Sequence, residues 1–366
     1  MLPYFNDLTL FLSTIFKIFR FEIDYLRRPN RKTIELAERY SPESWCFDTK
    51  LMLGQILEGI ERGDDIVTMS GSWGGENENC FLGYLTKGVM KKKLEKISGK
   101  KIKLWFFNIN AIEIMTSKYL SVYKNILGLK KFSKIKPSSC EIFQSIYLGI
   151  KKMKIASDLR ASLLGCSDIL DKEKLFQTYD TFIENMIFNG NSLKESKEIY
   201  KRTIGEIKNM KKIKIKDKIT IGLVGDFAHT LFSLAPFFDI ERFLLKENVS
   251  VIQPISFTNF YNFLSPLYTK KNLKKGREYL PQKVCGSDKM TILSSLYLKN
   301  KVDGLIHIRT FLCTPEEVAN EVLISHKSKF PPILSLSYDS HTTEENLKVR
   351  IEAFIDMIKH KKWGKK

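Results

Sequence analysis

The sequence predicts an α/β protein in which two parallel-sheet α/β domains are separated by a helical middle region. In residues 1–109 and 217–366, apolar runs of strand length alternate with segments of helical periodicity, as in parallel strands joined by helices. In residues 110–216 this alternation gives way to long helical periodicity with few strand signals. A chain of 366 residues is also long enough for two or three domains.

Composition narrows the classes of function. The formal net charge of +19 comes largely from lysine-rich stretches, which attract nucleic acid and other polyanions. No Cys/His finger, RNP-like strand or basic heptad accompanies this charge, so nucleic acid is not the expected partner. The six widely spaced cysteines predict reduced thiols and a cytoplasmic protein.

The apolar run 7–20 is short and is interrupted by Lys17 and Arg20. It predicts an amphipathic helix rather than a signal or a membrane span, with a membrane-surface anchor as the alternative.

The first predicted domain places two cysteines beside α/β connections. Cys46 lies just ahead of a helical pattern at 48–62. The strand 65–70 runs into a glycine-rich loop, 71–79, that ends at Cys80. This loop lacks a Gly-Lys-Ser/Thr ending and carries two glutamates, so we do not expect it to bind nucleotide phosphates.

The second predicted domain opens with a strand at 219–226, which lacks the full dinucleotide-binding fingerprint. Further strands are predicted at 250–255, 302–308 and 332–338. Between the second and third of these four strands, residues 257–300 are helical and basic.

The run 302–308 predicts a buried strand, and Cys313 follows in a short turn. Thr314 is predicted to cap the next helix, with Pro315 at its first position and Glu317 completing a capping box. Open α/β sheets bind ligands at the carboxyl ends of their strands, and a helix N-terminus favours a thiolate. The alternative to a reactive thiolate is that Cys313 is only a small apolar residue that fills the turn.

Cys46, Cys80 and Cys313 share one description, because each lies at a loop on the predicted ligand edge of an α/β unit. If the units face each other, three thiolates converge on the cleft between them. Three sulfurs without a nearby histidine cluster indicate an iron–sulfur cluster with one iron open to another ligand, and zinc is the alternative. Cys140 and Cys166 lack such a setting and are interpreted as ordinary cysteines.

Three other side chains are candidates for catalysis. His341 and Asp339 could form an acid/base pair, but helix capping by Asp339 or Thr342 explains the same residues. Glu316 could orient the loop of Cys313, although its place in the first turn of a helix also complements the helix dipole. His307 lies inside a predicted strand and is interpreted as structural.

The segments around these cysteines resemble the 2-hydroxyacyl-CoA dehydratase family, and specifically its activase-related proteins. They occur in the family's order over most of the chain: Lys32-Thr-Ile-Glu-Leu36; Tyr40-Ser-Pro-Glu-Ser-Trp-Cys46 with Lys50; Leu53-Gly-Gln-Ile-Leu-Glu58; Cys80-Phe-Leu-Gly-Tyr84; Ile221-Gly-Leu-Val-Gly-Asp226; Asp303-Gly304 with Phe311-Leu-Cys-Thr-Pro-Glu316; and Asp339-Ser-His-Thr342 with Arg350-Ile-Glu-Ala-Phe354.

The resemblance implies a [4Fe-4S] or related cluster held by Cys46, Cys80 and Cys313, and two Rossmann-like domains. It implies an ATP-dependent activase as partner, a CoA thioester as substrate, and a dimer or hetero-oligomer. In that family the activase supplies a low-potential electron, which the cluster passes to the thioester so that the hydroxyl group leaves.

The chain also departs from the family pattern. Asp48 stands where a proline is usual, Phe81 where an arginine is usual, and Asp226 where a glutamate is usual. A non-catalytic partner of an activase, or a basic polyanion-binding module, are the alternative functions.

Overall fold

The chain is a mixed α/β protein, seen here in a computed structural model. The structure describes residues 7–23, 29–64, 66–70, 89–107, 119–226, 238–254, 274, 276, 278–280 and 287–363. The chain divides into two compact units, unit 1 with residues 1–153 and unit 2 with residues 154–366. The predicted domain boundaries after 109 and 216 remain predictions, as does the arrangement of two Rossmann-like domains around a cleft.

Unit 1 combines helices with one parallel pair of strands. Its elements are α1 Asp7–Ile18, α2 Arg31–Tyr40, α3 Phe47–Glu61, β1 Ile66–Ser70, α4 Val89–Ser98, β2 Lys103–Phe107, α5 Tyr119–Leu127 and the start of α6 Ser139–Leu164. β1 and β2 pair in parallel, with Ile66 beside Lys103. The predicted glycine-rich loop, 71–79, and Cys80 lie outside the described residues.

Helix α1 is an interior helix rather than the predicted amphipathic one. Every residue from Asp7 to Phe16 is buried, so apolar side chains pack on all sides of it. No helix in the described part of the chain is long and apolar enough to cross a membrane.

Helices α2 and α3 cross in close contact in unit 1. Asn30 caps α2 by accepting from the backbone N–H groups of Lys32 and Thr33. A Cβ atom on Gly54 would lie 2.0 Å from the carbonyl oxygen of Thr33, so only glycine fits at this crossing. The crossing places the start of α3, and therefore Cys46, beside α2.

Unit 2 begins with helices and continues with a parallel sheet. Its elements are the end of α6, α7 Lys172–Phe188, α8 Leu193–Lys208, β3 Thr220–Gly225, α9 Ile240–Lys246, β4 Ser250–Ile252, α10 Ser287–Leu298, β5 Gly304–Thr310, α11 Thr314–Ser325, β6 Ile333–Tyr338 and α12 Glu344–Trp363. Of the predicted basic helical segment 257–300, the structure describes residues 274, 276, 278–280 and 287–300.

The sheet of unit 2 has four parallel strands in the order β4-β3-β5-β6. The predicted parallel α/β sheet is therefore confirmed for this part of the chain. The chain passes from β3 to β4 on one side and then returns to β5 on the other side. The direction of winding thus reverses between β3 and β5.

Helices cover both faces of this sheet. Leu305 packs with Leu298 of α10 and Ala319 of α11 in a buried apolar cluster. Gly304, one residue earlier, faces the opposite side, where a Cβ atom would meet Ile358 of α12. This alternation puts His307 and Arg309, at even spacing from Leu305, on the side of α10 and α11.

Candidate functional site at the Cys313 turn

The turn that carries Cys313 connects β5 to α11 at the carboxyl end of the sheet. The N–H of Phe311 donates to the carbonyl oxygen of Tyr338 at 2.8 Å, and the N–H of Cys313 donates to that of Thr310 at 3.0 Å. Leu312 adopts a left-handed conformation with φ 65°, which is uncommon for a side chain of its size. Phe311 and Leu312 are exposed and Cys313 is partly exposed, so the thiol lies at an accessible edge.

The predicted cap of α11 is wrong in its details. Cys313, not Thr314, is the N-cap residue, and its side chain makes no capping hydrogen bond. Glu317 does not complete a capping box, because its carboxylate pairs with Arg309 on β5 instead. The thiol therefore takes the position at which a helix N-terminus favours negative charge.

The ends of the two central strands meet beside this turn. The N–H of Asp226, just after β3, donates to the carbonyl oxygen of Ile308 at 2.9 Å. The hydroxyl of Thr310 donates to the Asp226 carboxylate at 3.1 Å. The winding of the chain reverses between these two strands, and in open α/β sheets ligands bind in the crevice outside such a point.

A buried carboxylate network, formed by Thr291, His307 and Glu316, lies beneath the start of α11. All three side chains are fully buried. Nε2 of His307 lies 2.8 Å from a carboxylate oxygen of Glu316. The Thr291 hydroxyl lies 3.1 and 3.2 Å from the two carboxylate oxygens and shares its single proton between them. The network joins α10, β5 and α11 at one point.

Sequence reasoning missed His307 and Thr291 as partners of Glu316. Strand alternation gives the missing signal for His307, since it places this residue on the same face as Leu305, under the helices. A histidine there needs a polar partner, and Glu316 lies in the first turn of the next helix. Thr291 comes from a helix far earlier in the chain, and no local pattern predicts its contact.

Asp339 and His341 do not form the predicted acid/base pair. The carboxylate of Asp339 accepts from the backbone N–H of His341 at 3.0 Å and from the Thr342 hydroxyl at 2.7 Å. His341 is exposed. Neither Asp339 nor Thr342 caps α12. The residue before this helix, Thr343, does so instead, because its hydroxyl accepts from the N–H of Asn346 at 3.3 Å. Asp339 and Thr342 instead close a local turn after β6.

Cys46 shares with Cys313 only the N-cap position of a helix, because it lies between α2 and α3 and does not follow a strand. It is the N-cap residue of α3, with no side-chain capping hydrogen bond. Its sulfur lies 3.0 Å from the Thr49 hydroxyl oxygen. Lys50, one residue further on, is buried and forms an ion pair with Glu38 at 3.1 Å. The ion pair balances the positive charge of Lys50, and Asp48 adds a carboxylate to the same turn of α3.

The donors of the predicted cluster can be judged only in part. No three His, Cys, Asp or Glu side chains converge on a metal position within the described residues. Cys46 and Cys313 lie in different units and Cys80 lies outside the described residues, so the three-cysteine site stays a prediction. The two described thiols fit as ligands, because both are partly exposed at helix N-termini, where a thiolate is favoured.

The remaining described cysteines differ in exposure, which gives a testable contrast. Burial raises the pKa of the Cys166 thiol, and Lys212 opposes this shift. Cys140 is exposed. A raised pKa leaves less thiolate at neutral pH, so iodoacetamide is expected to label Cys166 more slowly than Cys140. Peptide mass spectrometry across pH 7–10 checks this order, and equal rates at pH 7 would contradict it.

The fold and the Cys313 turn define a class of mixed α/β protein with a candidate thiolate site at the carboxyl edge of a parallel sheet. Comparison with protein-family models gives no match, and comparison with curated proteins gives no significant match. The resemblance to the dehydratases therefore remains a prediction from the sequence.

Proposed function

We propose that this chain is an iron–sulfur protein related to the 2-hydroxyacyl-CoA dehydratases, and that it takes low-potential electrons from an ATP-dependent activase to act on a CoA thioester. The observation that carries the proposal is the place of Cys313. Its thiol is at a helix N-terminus, next to the point where the winding of the sheet reverses. Both features favour a ligated thiolate there.

Cys46, the other proposed ligand that the structure describes, supports the same proposal. Cys46 is the N-cap residue of α3, and its sulfur lies 3.0 Å from the hydroxyl oxygen of Thr49. Under this proposal Cys46 and Cys313 hold the cluster with Cys80, and two Rossmann-like domains place the thiolates at a cleft. A cluster bound by three cysteines supplies one open iron, which can polarise a carbonyl and transfer an electron.

The residues around Cys313 have distinct proposed roles. Asp226 and Thr310 hold the ends of the two central strands together, so that the edge of the sheet keeps its shape. Phe311 and Leu312 present apolar surface beside the thiol, which lowers the access of water to a bound group. His341 and Asp339 follow the neighbouring strand β6, and the exposed imidazole of His341 lies at the same edge of the sheet.

ATP-dependent reduction tests this function. The protein is reconstituted anaerobically with iron and sulfide and is then mixed with an activase of this family and dithionite. The proposal predicts that absorbance at about 400 nm, typical of thiolate-bound clusters, falls when ATP is added. Omitting the activase is the control. Absorbance that is unaffected by ATP and activase would contradict electron transfer in this form.

Turnover of a 2-hydroxyacyl-CoA in the same mixture then separates an enzyme from a non-catalytic partner. An enzyme forms the unsaturated thioester, which chromatography detects. A partner protein accepts the electron without forming that product.

A further inference from the structure

Two side-chain pairs join β5 to the first turn of α11. His307 contacts Glu316 inside the protein, and Arg309 contacts Glu317 nearer the surface. We propose that the buried carboxylate network of Thr291, His307 and Glu316 is a positioning device that fixes the Cys313 turn, with Glu316 as the positioning residue. The inference deepens the proposed function, because it concerns the same thiol.

Filling this space with a carboxylate network is less favourable in free energy than filling it with apolar side chains. A buried carboxylate must be compensated by hydrogen bonds or an opposite charge, and apolar residues of similar volume often give equal or greater stability. Nδ1 of His307 is also buried and has no hydrogen-bond partner among the described residues. Such an atom lowers stability further. We therefore explain the network by its effect on where α11 lies on β5, and not by a gain in the free energy of unfolding.

Hydrogen bonds supply that specificity because they are directional. Glu316 accepts at both oxygens from Thr291, and His307 holds one of the same oxygens. These contacts fix the rotation of α11 about its axis and its position along β5. Leucines in the same space would pack against each other in several rotations of the helix.

The backbone links the position of α11 to the conformation of the Cys313 turn. Glu316 is three residues after Cys313, and the N–H of Glu317 donates to the carbonyl oxygen of Cys313 at 3.0 Å. The left-handed Leu312 lies directly before the thiol. Such a backbone conformation persists only where surrounding contacts hold it. Release of Glu316 is thus expected to let the turn relax.

Hydrogen exchange of the turn tests the proposal on metal-free protein, so its outcome is independent of iron binding. The amides of Cys313 and Glu317 are followed by mass spectrometry, and the melting temperature is measured in parallel. The double variant His307→Leu, Glu316→Leu keeps an apolar filling and is expected to keep the melting temperature. Its turn is expected to exchange about tenfold faster than wild type.

Two single variants complete the design. In the single variant His307→Gln, the glutamine can still donate to Glu316. The exchange rate of the turn is therefore expected to stay within about twofold of wild type. Thr291→Val has nearly the same shape and removes one donor, so it is expected to speed exchange about threefold. Glu321→Gln changes an exposed glutamate on the same helix and is the matched control.

Two results would overturn the proposal. One is protection of the turn that stays at the wild-type level in both the double variant and Thr291→Val. The other is faster exchange that only follows a lower melting temperature in every variant, since this is what a purely structural network produces. Thr291→Val keeps the proposal testable if the double variant does not fold.

Discussion

Gly225→Ala is expected to prevent unit 2 from folding. Gly225 ends β3 with φ 129°, and a Cβ atom there would lie 1.8 Å from the carbonyl oxygen of Ile308 on β5. That oxygen also accepts from the N–H of Asp226, so neither strand can withdraw without losing this contact. The backbone strain alone costs about 1–3 kcal/mol, and the clash adds to it.

Denaturant unfolding followed by circular dichroism measures this effect. The sum of strain and clash is expected to exceed about 5 kcal/mol, which is comparable to the whole stability of many domains. Gly63→Ala is the matched control, because Gly63 also has a positive φ, 97°, but has nothing within 4 Å of the added atom. The control is expected to lose about 1–2 kcal/mol, the cost of placing an L side chain at a positive φ. Equal stability of both variants would contradict this account of the junction between β3 and β5.

Alanine at any one of Cys46, Cys80 or Cys313 is expected to remove most of the iron bound after reconstitution. A cluster held by three thiolates is not retained firmly by two. Loss of the Cys313 side chain should change stability by less than about 1 kcal/mol, because it is partly exposed and makes no capping bond. A lower iron content of the Cys313 variant would therefore indicate the loss of a ligand and not unfolding of the protein.

The matched controls for this prediction are Cys140→Ala and Cys166→Ala, which are expected to keep the wild-type iron content. Iron that falls equally in the control variants and the ligand variants would show that the bound metal does not depend on the proposed set. Melting temperatures of all five variants separate ligation from unfolding.

The local pattern around Cys313 was predicted well because short-range physics determines it. An apolar run of strand length, a turn and a helix with Pro315 near its start are all visible in the sequence, and the structure confirms strand β5 and helix α11. The cap was wrong because Glu317 has a better partner in Arg309, which strand alternation brings to the same face. A local capping rule does not include such a tertiary contact.

The network beneath the turn could be predicted only in part. The sequence makes Glu316 a candidate for orienting the loop, but it indicates for His307 only a structural role inside a strand. Its contact with Glu316 depends on the placement of α11 over β5, and the contact of Thr291 depends on α10. Both contacts depend on how these elements pack together. A single sequence does not show which of them lie side by side. Similarly, α1 was expected to be amphipathic, yet it is buried on all sides.

The most direct test of the central claim is the iron and acid-labile sulfide content of the wild-type chain after anaerobic reconstitution, measured beside Cys313→Ala. The account predicts about four irons and about four sulfides per wild-type chain, as a [4Fe-4S] cluster requires, and a small fraction of that in the variant. A colourless wild-type protein that retains neither iron nor sulfide would contradict the claim.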